Sequence, residues 1–255
     1  MYDSNRGGFL ASIPPVTKNL IIINLIIWVA EAVSSTLATP ILKYGGLHFI
    51  TASDFNPAQF ITYLFIHDPH SPAHVLFNMF TLWMFGSTLE RVWSSKRFFI
   101  FYFICGIGAG IVQEAVWALT YMHDFVDIIA KGNAFSHEYA RQIVDSGLAS
   151  SDPAALNLLA QFKNSLITIG ASGAVFGLLL GFAFIFPNQP MYLFFIPIPI
   201  KAKYMVIGYG VIEFFLGVGN VGSVAHFAHL GGLLFALIIL LYWKKKGTLH
   251  GGGYY

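Results

Sequence analysis

The chain has 255 residues, of which 14 are Lys or Arg and 12 are Asp or Glu, so that charged residues make up 10%. Hydrophobic residues make up 56% and the mean hydropathy is +0.67. A soluble domain carries roughly 25% charged residues, so this composition excludes a soluble protein and indicates an integral membrane protein. The single cysteine, Cys105, excludes a disulfide scaffold, and a net charge of +2 does not point to a nucleic-acid partner.

The first 19 residues are polar and contain proline, without the compact form of a cleaved signal peptide. We interpret residues 1–19 as a cytoplasmic segment and the following apolar run as an anchor that is retained.

Six apolar runs approach the roughly 20 residues that a membrane-spanning helix needs. The fifth is the shortest and follows residues 191–200, which we read as interfacial because Pro197 and Pro199 interrupt any helix there. The predicted spans are residues 20–38, 74–92, 98–121, 169–186, 204–218 and 224–243.

The placement of basic residues gives the orientation. With the N-terminus inside, the inner segments hold ten of the 14 Lys and Arg residues and the outer segments hold four. By the positive-inside rule, both termini are cytoplasmic. The predicted fold is therefore an all-α membrane protein, with a six-helix bundle over residues 20–243 and a cytoplasmic tail over 244–255.

Two of the outer segments are long. Residues 40–73 form an outer loop, and residues 122–168 form an outer insertion whose function the sequence does not indicate. Within the insertion, residues 136–159 have a helical composition with a break predicted at Ser151-Asp152-Pro153.

The three helices that enter from the outer side all begin with polar residues, which are costly in a bilayer and often functional. If the topology is right, these residues lie at a similar depth. They are His74 and Asn78 on the second span, Ser172 on the fourth, and His226 and His229 on the sixth.

Ser172 lies in Gly170-Ala-Ser172-Gly173 at the start of a helix, where free backbone N–H groups would stabilise an oxyanion. The alternative is a packing serine, because Gly173, Gly177 and Gly181 form a repeated small-residue face. The elbow motif of soluble hydrolases does not fit, since residue 174 is alanine and no strand is predicted before the serine.

His229 would be the base that a serine nucleophile needs, although it could also be a hydrogen-bonded packing histidine. Gly231, Gly232 and Ala236 would let the sixth helix approach the glycine face of the fourth. His226 lies three residues earlier, and the sequence alone does not exclude it as the base.

His74 and Asn78 are four residues apart, so their side chains share one helix face. Both can donate hydrogen bonds, which suits an oxyanion hole. The alternative is that they hold helices together.

With these elements in place, the sequence resembles the rhomboid family of intramembrane serine proteases, over roughly residues 16–243. The shared motifs are His74-xxx-Asn78, Gly170-x-Ser172-Gly173, Ala228-His229-xx-Gly232 and Gly86-xxx-Glu90.

The resemblance implies a mechanism in which Ser172 is the nucleophile and His229 its partner, in a dyad with no acidic third member. His74, Asn78 and the Ser172 N–H would hold the oxyanion. Phe176 stands where the family places an aromatic residue that packs on the catalytic histidine. Gly170, Gly173 and Gly232 would support this arrangement.

Two departures from the family pattern concern the outer loop. A Trp-Arg pair that is common in the family corresponds to Ala58-Gln59. The loop also has three closely spaced histidines, His67, His70 and His74, which would suit a metal site but which we interpret as loop-stabilising. We expect no metal and no other cofactor.

The predicted function is hydrolysis of membrane-anchored proteins near the outer leaflet by an enzyme of the cell membrane, which is the inner membrane if the source is Gram-negative. The expected partners are single-pass or other membrane-protein substrates and the lipid bilayer, with no nucleic acid. Substrate would enter past the short, glycine-containing fifth span, where Phe214 and Phe215 close the gap; the family's fifth helix is often proposed as such a gate.

Two other functions are weighed against this one. The first is a catalytically silent relative that binds membrane proteins, which the presence of both Ser172 and His229 disfavours. The second is a channel or transporter that uses the histidine-rich outer loop and the membrane carboxylates Glu31, Glu114 and Glu213. The lack of repeated halves and of a pair of broken helices disfavours it.

Overall fold

The computed structural model describes residues 9–193, 196–219 and 225–249, and these residues are mostly helical. The first residue of the sixth predicted span, Val224, and the last part of the tail lie outside them. In chain order the elements are α1 (Pro15–Val33), α2 (Ser35–Gly45), β1 (Leu47–His48), α3 (Gln59–Thr62), α4 (Pro72–Thr81), α5 (Ser87–Trp93), α6 (Ser95–Asn133), α7 (His137–Ala149), α8 (Pro153–Ser165), β2 (Ile167–Thr168), α9 (Ser172–Ile185), β3 (Pro190–Leu193), β4 (Ile196–Lys201), α10 (Ala202–Val218) and α11 (His226–Lys245).

Three of the described helices, α1, α6 and α11, are long and apolar enough to cross a membrane. Helices also lie at the other three predicted spans, but they are short or interrupted: α4 and α5 are joined by a π-helical turn at Leu82–Gly86, α9 has 14 residues and α10 has 17. The six-span count and the orientation of the termini therefore remain predictions.

The third predicted span is longer than the sequence suggested. Helix α6 has 39 residues, or about 58 Å at 1.5 Å per residue, which exceeds the roughly 30 Å of a bilayer core. The expected outer insertion thus starts inside a helix. The reason is a second small core, in which Phe125, Val126 and Ala130 of α6 pack with Ala140 and Val144 of α7.

The break predicted between α7 and α8 is confirmed. Helix α7 ends at Ala149, and Asp152 caps α8 by accepting a hydrogen bond from the Ala154 N–H. Proline at the first position of α8 needs no hydrogen-bond partner for its nitrogen, which suits a helix start.

Short strands replace two regions that the sequence left without regular structure. β1 in the first outer loop pairs antiparallel with β2, joining Leu47 to Thr168 and His48 to Ile167. The expectation that no strand precedes Ser172 is therefore wrong, because the two-residue strand β2 lies just before it. β3 and β4 form an antiparallel hairpin over the proline-containing segment before α10.

The start of α1 is fixed by a carboxylate from another helix. Glu90 of α5 accepts hydrogen bonds from the N–H groups of Val16 and Thr17 and from the Thr17 hydroxyl, at 2.8–3.0 Å. It also accepts one from Ser95 at the start of α6. The Gly86-xxx-Glu90 motif thus satisfies free N–H groups at the start of α1, as a capping side chain does.

Helix α9 lies between α6 and α11 because its glycines admit close neighbours. A Cβ at Gly173 would collide with the Ala109 side chain, and one at Gly177 would lie 2.6 Å from Cys105. Gly181 faces Trp93 in the same way, at 2.9 Å. The small-residue face of α9 therefore packs against its neighbours, and it brings the first turn of α9 next to the first turn of α11.

Candidate active site

Ser172 is the first residue of α9 and follows a turn that requires glycine. Gly170 has φ +113°, a backbone conformation that side chains strongly disfavour. Its N–H donates to the Tyr63 carbonyl at 2.9 Å, and a Cβ there would lie 3.0 Å from His74 Nε2. The turn therefore places the Ser172 hydroxyl at a helix N-terminus and close to the His74 ring.

His229 lies opposite Ser172, with its Nε2 atom 2.8 Å from the serine Oγ. This closeness depends on Gly232, because a Cβ there would collide with the Gly173 carbonyl oxygen. Gly231 instead faces α6, where a Cβ would lie 2.8 Å from Val112. The sequence suggested that both glycines allow α11 to approach α9. In the structure only Gly232 does so.

The His229 ring is held flat against an aromatic neighbour. Phe176, one turn after the serine, stacks on it with ring centroids 4.3 Å apart and planes 8° apart. Tyr209 of α10 packs edge-on against Phe176. This stack restricts rotation of the imidazole.

The structure brings the His74 ring to the serine, whereas Asn78 lies one turn further along α4. Asn78 is buried, and its Nδ2 donates to the His74 carbonyl at 2.9 Å. An amide nitrogen carries two hydrogens, so this contact leaves one for another acceptor.

His67 connects the outer loop to the turn before Ser172. It is fully buried, and its Nε2 accepts a hydrogen bond from the Ala171 N–H at 3.4 Å. Burial, reinforced by the nearby His74, lowers the pKa of His67 to about 3. A neutral imidazole keeps one nitrogen as an acceptor, which is the state this contact uses.

A cavity of about 720 Å³ opens beside the serine and the histidine. Several polar side chains contribute to its lining, which suits a site that must hold water. They include Ser172, His229, His74, His67, His70 and Glu31.

Sequence reasoning missed the position of Glu213. Its Oε2 lies 3.0 Å from His229 Nδ1 and 2.7 Å from His226 Nδ1, and all three side chains are largely buried. The family resemblance implied a histidine without an acidic partner, and Glu213 was considered only as a transporter carboxylate. The available signal was an acidic residue in an apolar helix next to the helix of the histidine.

The carboxylate of Glu114, also considered for a transporter, holds the outer loop by accepting the Ile50 N–H at 2.8 Å. Gln59 has a similar role that the sequence did not reveal. It is buried, accepts the N–H groups of His48 and Asn56, and donates to the Asp54 carbonyl.

The predicted gate residues face away from the protein. Phe214 and Phe215 are 51% and 68% exposed, and their rings contact each other. The buried residues of α10 are Ala202, Met205 and Val206, all near its start. In the second half of α10, Glu213 is largely buried against α11, whereas Phe214 and Phe215 beside it are exposed.

A family model of the rhomboid domain matches residues 55–246. No curated protein matches the chain. The matched range includes the Ser172 turn, His74, His229 and Glu213, and it covers most of the chain. The chain therefore belongs to the rhomboid family.

Proposed function

We propose that the protein is an intramembrane serine endopeptidase that hydrolyses peptide bonds of membrane-anchored proteins in or near the outer leaflet. The observation that carries the proposal is the 2.8 Å contact between Ser172 Oγ and His229 Nε2 beside a cavity with polar side chains in its lining. A serine is a weak nucleophile unless a base adjoins it.

In the proposed reaction, the Ser172 oxygen attacks the scissile carbonyl carbon while its proton passes to His229 Nε2. The tetrahedral intermediate collapses as His229 returns this proton to the leaving amine. Water that enters through the cavity then attacks the acyl-enzyme and gives a proton to His229. His229 passes this proton to the Ser172 oxygen as the acyl bond breaks, which releases the new carboxyl end and restores the serine.

The negative charge on the former carbonyl oxygen needs donors around it. The free N–H groups at the start of α9, including that of Ser172, are one source. The side chains of His74 and Asn78 are the others in our proposal, since the His74 ring lies beside the Ser172 turn.

The proposed setting is a cell membrane that the chain crosses six times with both termini cytoplasmic, which is the inner membrane if the source is Gram-negative. The substrates are single-pass or other membrane proteins, and the bilayer is the other partner. Nucleic acid has no part in the proposal. No metal enters the reaction, so a strong chelator should leave the cleavage rate unchanged.

The test is cleavage of a single-pass reporter by the purified protein in liposomes, together with labelling by a fluorophosphonate probe. Ser172→Ala and His229→Ala should each abolish both readouts. Ser87→Ala is the matched control, because Ser87 is also a buried serine and its hydroxyl has no hydrogen-bond partner among the described residues.

Ser87→Ala should retain cleavage and labelling. If the wild-type protein folds and binds the reporter without cutting it, the protein is a silent relative and the proposal fails.

A further inference from the structure

We propose that Glu213 is a positioning residue for His229, so that α10 supplies an acidic third member to the serine–histidine pair. This inference rests on the proposed protease function. The two ring nitrogens of His229 face opposite partners: Nε2 lies 2.8 Å from the Ser172 hydroxyl, and Nδ1 lies 3.0 Å from the Glu213 carboxylate.

The carboxylate is shared between two histidines. The oxygen that lies near His229 accepts a 2.7 Å hydrogen bond from His226 Nδ1. His229 Nδ1 lies within hydrogen-bonding distance of the Glu213 carboxylate, but its N–H does not point at the oxygen well enough for a full hydrogen bond. Among the described residues, His229 Nδ1 has no other partner. Catalytic hydrogen bonds are often poorly aligned before substrate binds and tighten afterwards.

A carboxylate beside Nδ1 fixes which nitrogen of His229 carries the proton. An ionised carboxylate accepts hydrogen bonds and cannot donate them. The neutral imidazole therefore keeps its proton on Nδ1, which leaves the lone pair of Nε2 to accept the proton of Ser172.

The same carboxylate stabilises His229 after proton transfer. When the Ser172 oxygen bonds to the carbonyl carbon, its proton moves to Nε2 and the ring becomes a cation. Glu213 keeps its negative charge throughout, and the proton leaves Nε2 for the amine. Because the side chains of His229 and Glu213 are only 9% and 13% exposed, water screens this attraction weakly.

The ligand atoms of Glu213, His226 and His229 also lie within 4.8 Å of one another, a grouping that could hold a divalent cation. Two distances favour the positioning role instead. The carboxylate oxygen lies 2.7 and 3.0 Å from the two nitrogens, whereas ligand atoms around a tetrahedral zinc are about 3.3 Å apart for metal bonds of about 2.0 Å.

The experiment compares Glu213→Gln with wild type for reporter cleavage, for the rate of fluorophosphonate labelling, and for the pH dependence of kcat. We expect kcat to fall about 10²-fold with a small change in KM, at the low end of the contribution of a positioned base. Labelling of Ser172 should slow in parallel, because it also needs the serine proton removed.

The pH dependence separates positioning from a purely structural role. The titratable groups that face His229 are Glu213 from α10, His226 from its own helix and His74 from α4. Removing the negative charge of Glu213 disfavours the imidazolium, so the acidic limb of the kcat profile should move to lower pH.

Glu138→Gln is the control for the exchange of a glutamate for glutamine, since Glu138 is exposed in the first turn of α7. It should keep the wild-type pH profile. An unchanged kcat and acidic limb in Glu213→Gln would overturn the inference, as would slower cleavage with unchanged labelling.

Loss of wild-type activity in a chelator, with recovery on adding zinc, would assign the three side chains to a cation and also overturn it. Failure of the protease proposal itself would look different. In that case either Ser172→Ala would cleave the reporter as fast as wild type, or the wild type and every variant would be inactive.

Discussion

The contact between Ser172 and His229 depends on two glycines that have no chemical role of their own. Gly173 and Gly232 let the backbones of α9 and α11 touch, and a Cβ at Gly232 would enter the Gly173 carbonyl. A 1 Å displacement of a catalytic pair can cost about 10² in rate. If the pair is catalytic as proposed, the separation of the two helices controls the rate as well as the packing.

We expect Gly232→Ala to lower the apparent melting temperature in detergent and to reduce reporter cleavage by at least about 10²-fold, because the helices must separate to admit the methyl group. Gly208→Ala is the matched control, since a Cβ at Gly208 on α10 meets no atom within 4 Å among the described residues. It should be neutral in both measurements. Equal effects of the two variants would show that the close approach is unimportant.

Substitution of Asn78 by alanine tests the proposed oxyanion hole. Removing one such donor costs roughly 10²–10³ in rate, so Asn78→Ala should retain a measurable kcat where Ser172→Ala retains none. The comparison needs similar melting temperatures, because Asn78 also bonds within α4. If folded Asn78→Ala cleaves the reporter as fast as wild type, the residue is only a packing group.

At the scale of elements, the outer loop is fastened to the segment that leads into α9, in part through the Tyr63 carbonyl, which accepts the Gly170 N–H. The β1–β2 pairing joins it to the residues before the Ser172 turn, and His67 accepts the Ala171 N–H within that turn. The loop therefore supports the serine turn, and weakening the loop should reach the serine.

His67 makes this support sensitive to acid. Its folded-state pKa is about 3, whereas an unfolded histidine titrates near 6.5. Below about pH 6.5 the unfolded chain binds a proton that the folded chain does not, so the contribution of His67 to stability is full above that pH and is lost as pH falls toward 3.

The apparent melting temperature should therefore fall more between pH 7 and pH 5 in wild type than in His67→Gln, which keeps an acceptor but does not titrate. A parallel decline in the two proteins would show that His67 is not the group responsible.

Helix α10 is the element whose second half is proposed to move when a substrate enters. Its buried residues lie near its start, and Phe214 and Phe215 project outward near its end. The proposed transmembrane substrate would stay in the bilayer, so a helix would have to move aside to let it reach Ser172. The proposed gate is this half of α10.

We expect Phe215→Ala or Phe214→Ala to raise the cleavage rate of a membrane-anchored reporter severalfold and to leave a short soluble peptide unaffected. Phe99→Ala is the control, because Phe99 is a similarly exposed phenylalanine on α6. Equal acceleration of both substrates would rule out a lateral gate and leave the catalytic pair intact.

At the scale of the whole molecule, the sequence predicted the features that depend on side-chain type and on the spacing of apolar residues. Apolar runs located the helices, and the polar residues at three helix starts converge as expected, with Ser172, His229 and His74 around one cavity. The stacking of Phe176 on His229 also agrees with the family pattern.

The features that the sequence did not reveal depend on contacts between distant segments. Nothing local in α10 shows that Glu213 meets two histidines of α11, since that contact requires the packing angle of both helices. The β1–β2 pairing and the extension of α6 to Asn133 also depend on distant partners. Periodicity describes one element, whereas these features belong to pairs of elements.

If both proposals hold, access and chemistry share one helix. The proposed gate residues Phe214 and Phe215 directly follow Glu213 in the sequence of α10. Outward movement of α10 would therefore take the carboxylate away from His229, and the serine would be activated again when the helix returns.

The carboxylate of Glu90 also bears on how the chain is made. Thr17, which it holds, precedes it by 73 residues, and a ribosome adds about 5–20 residues per second. The Glu90 carboxylate is therefore synthesised about 4–15 s after the N–H groups at the start of α1 to which it bonds. During that interval the first helix is inserted without its permanent partner, so the bundle can be completed at this end only once the chain has been translated as far as α5.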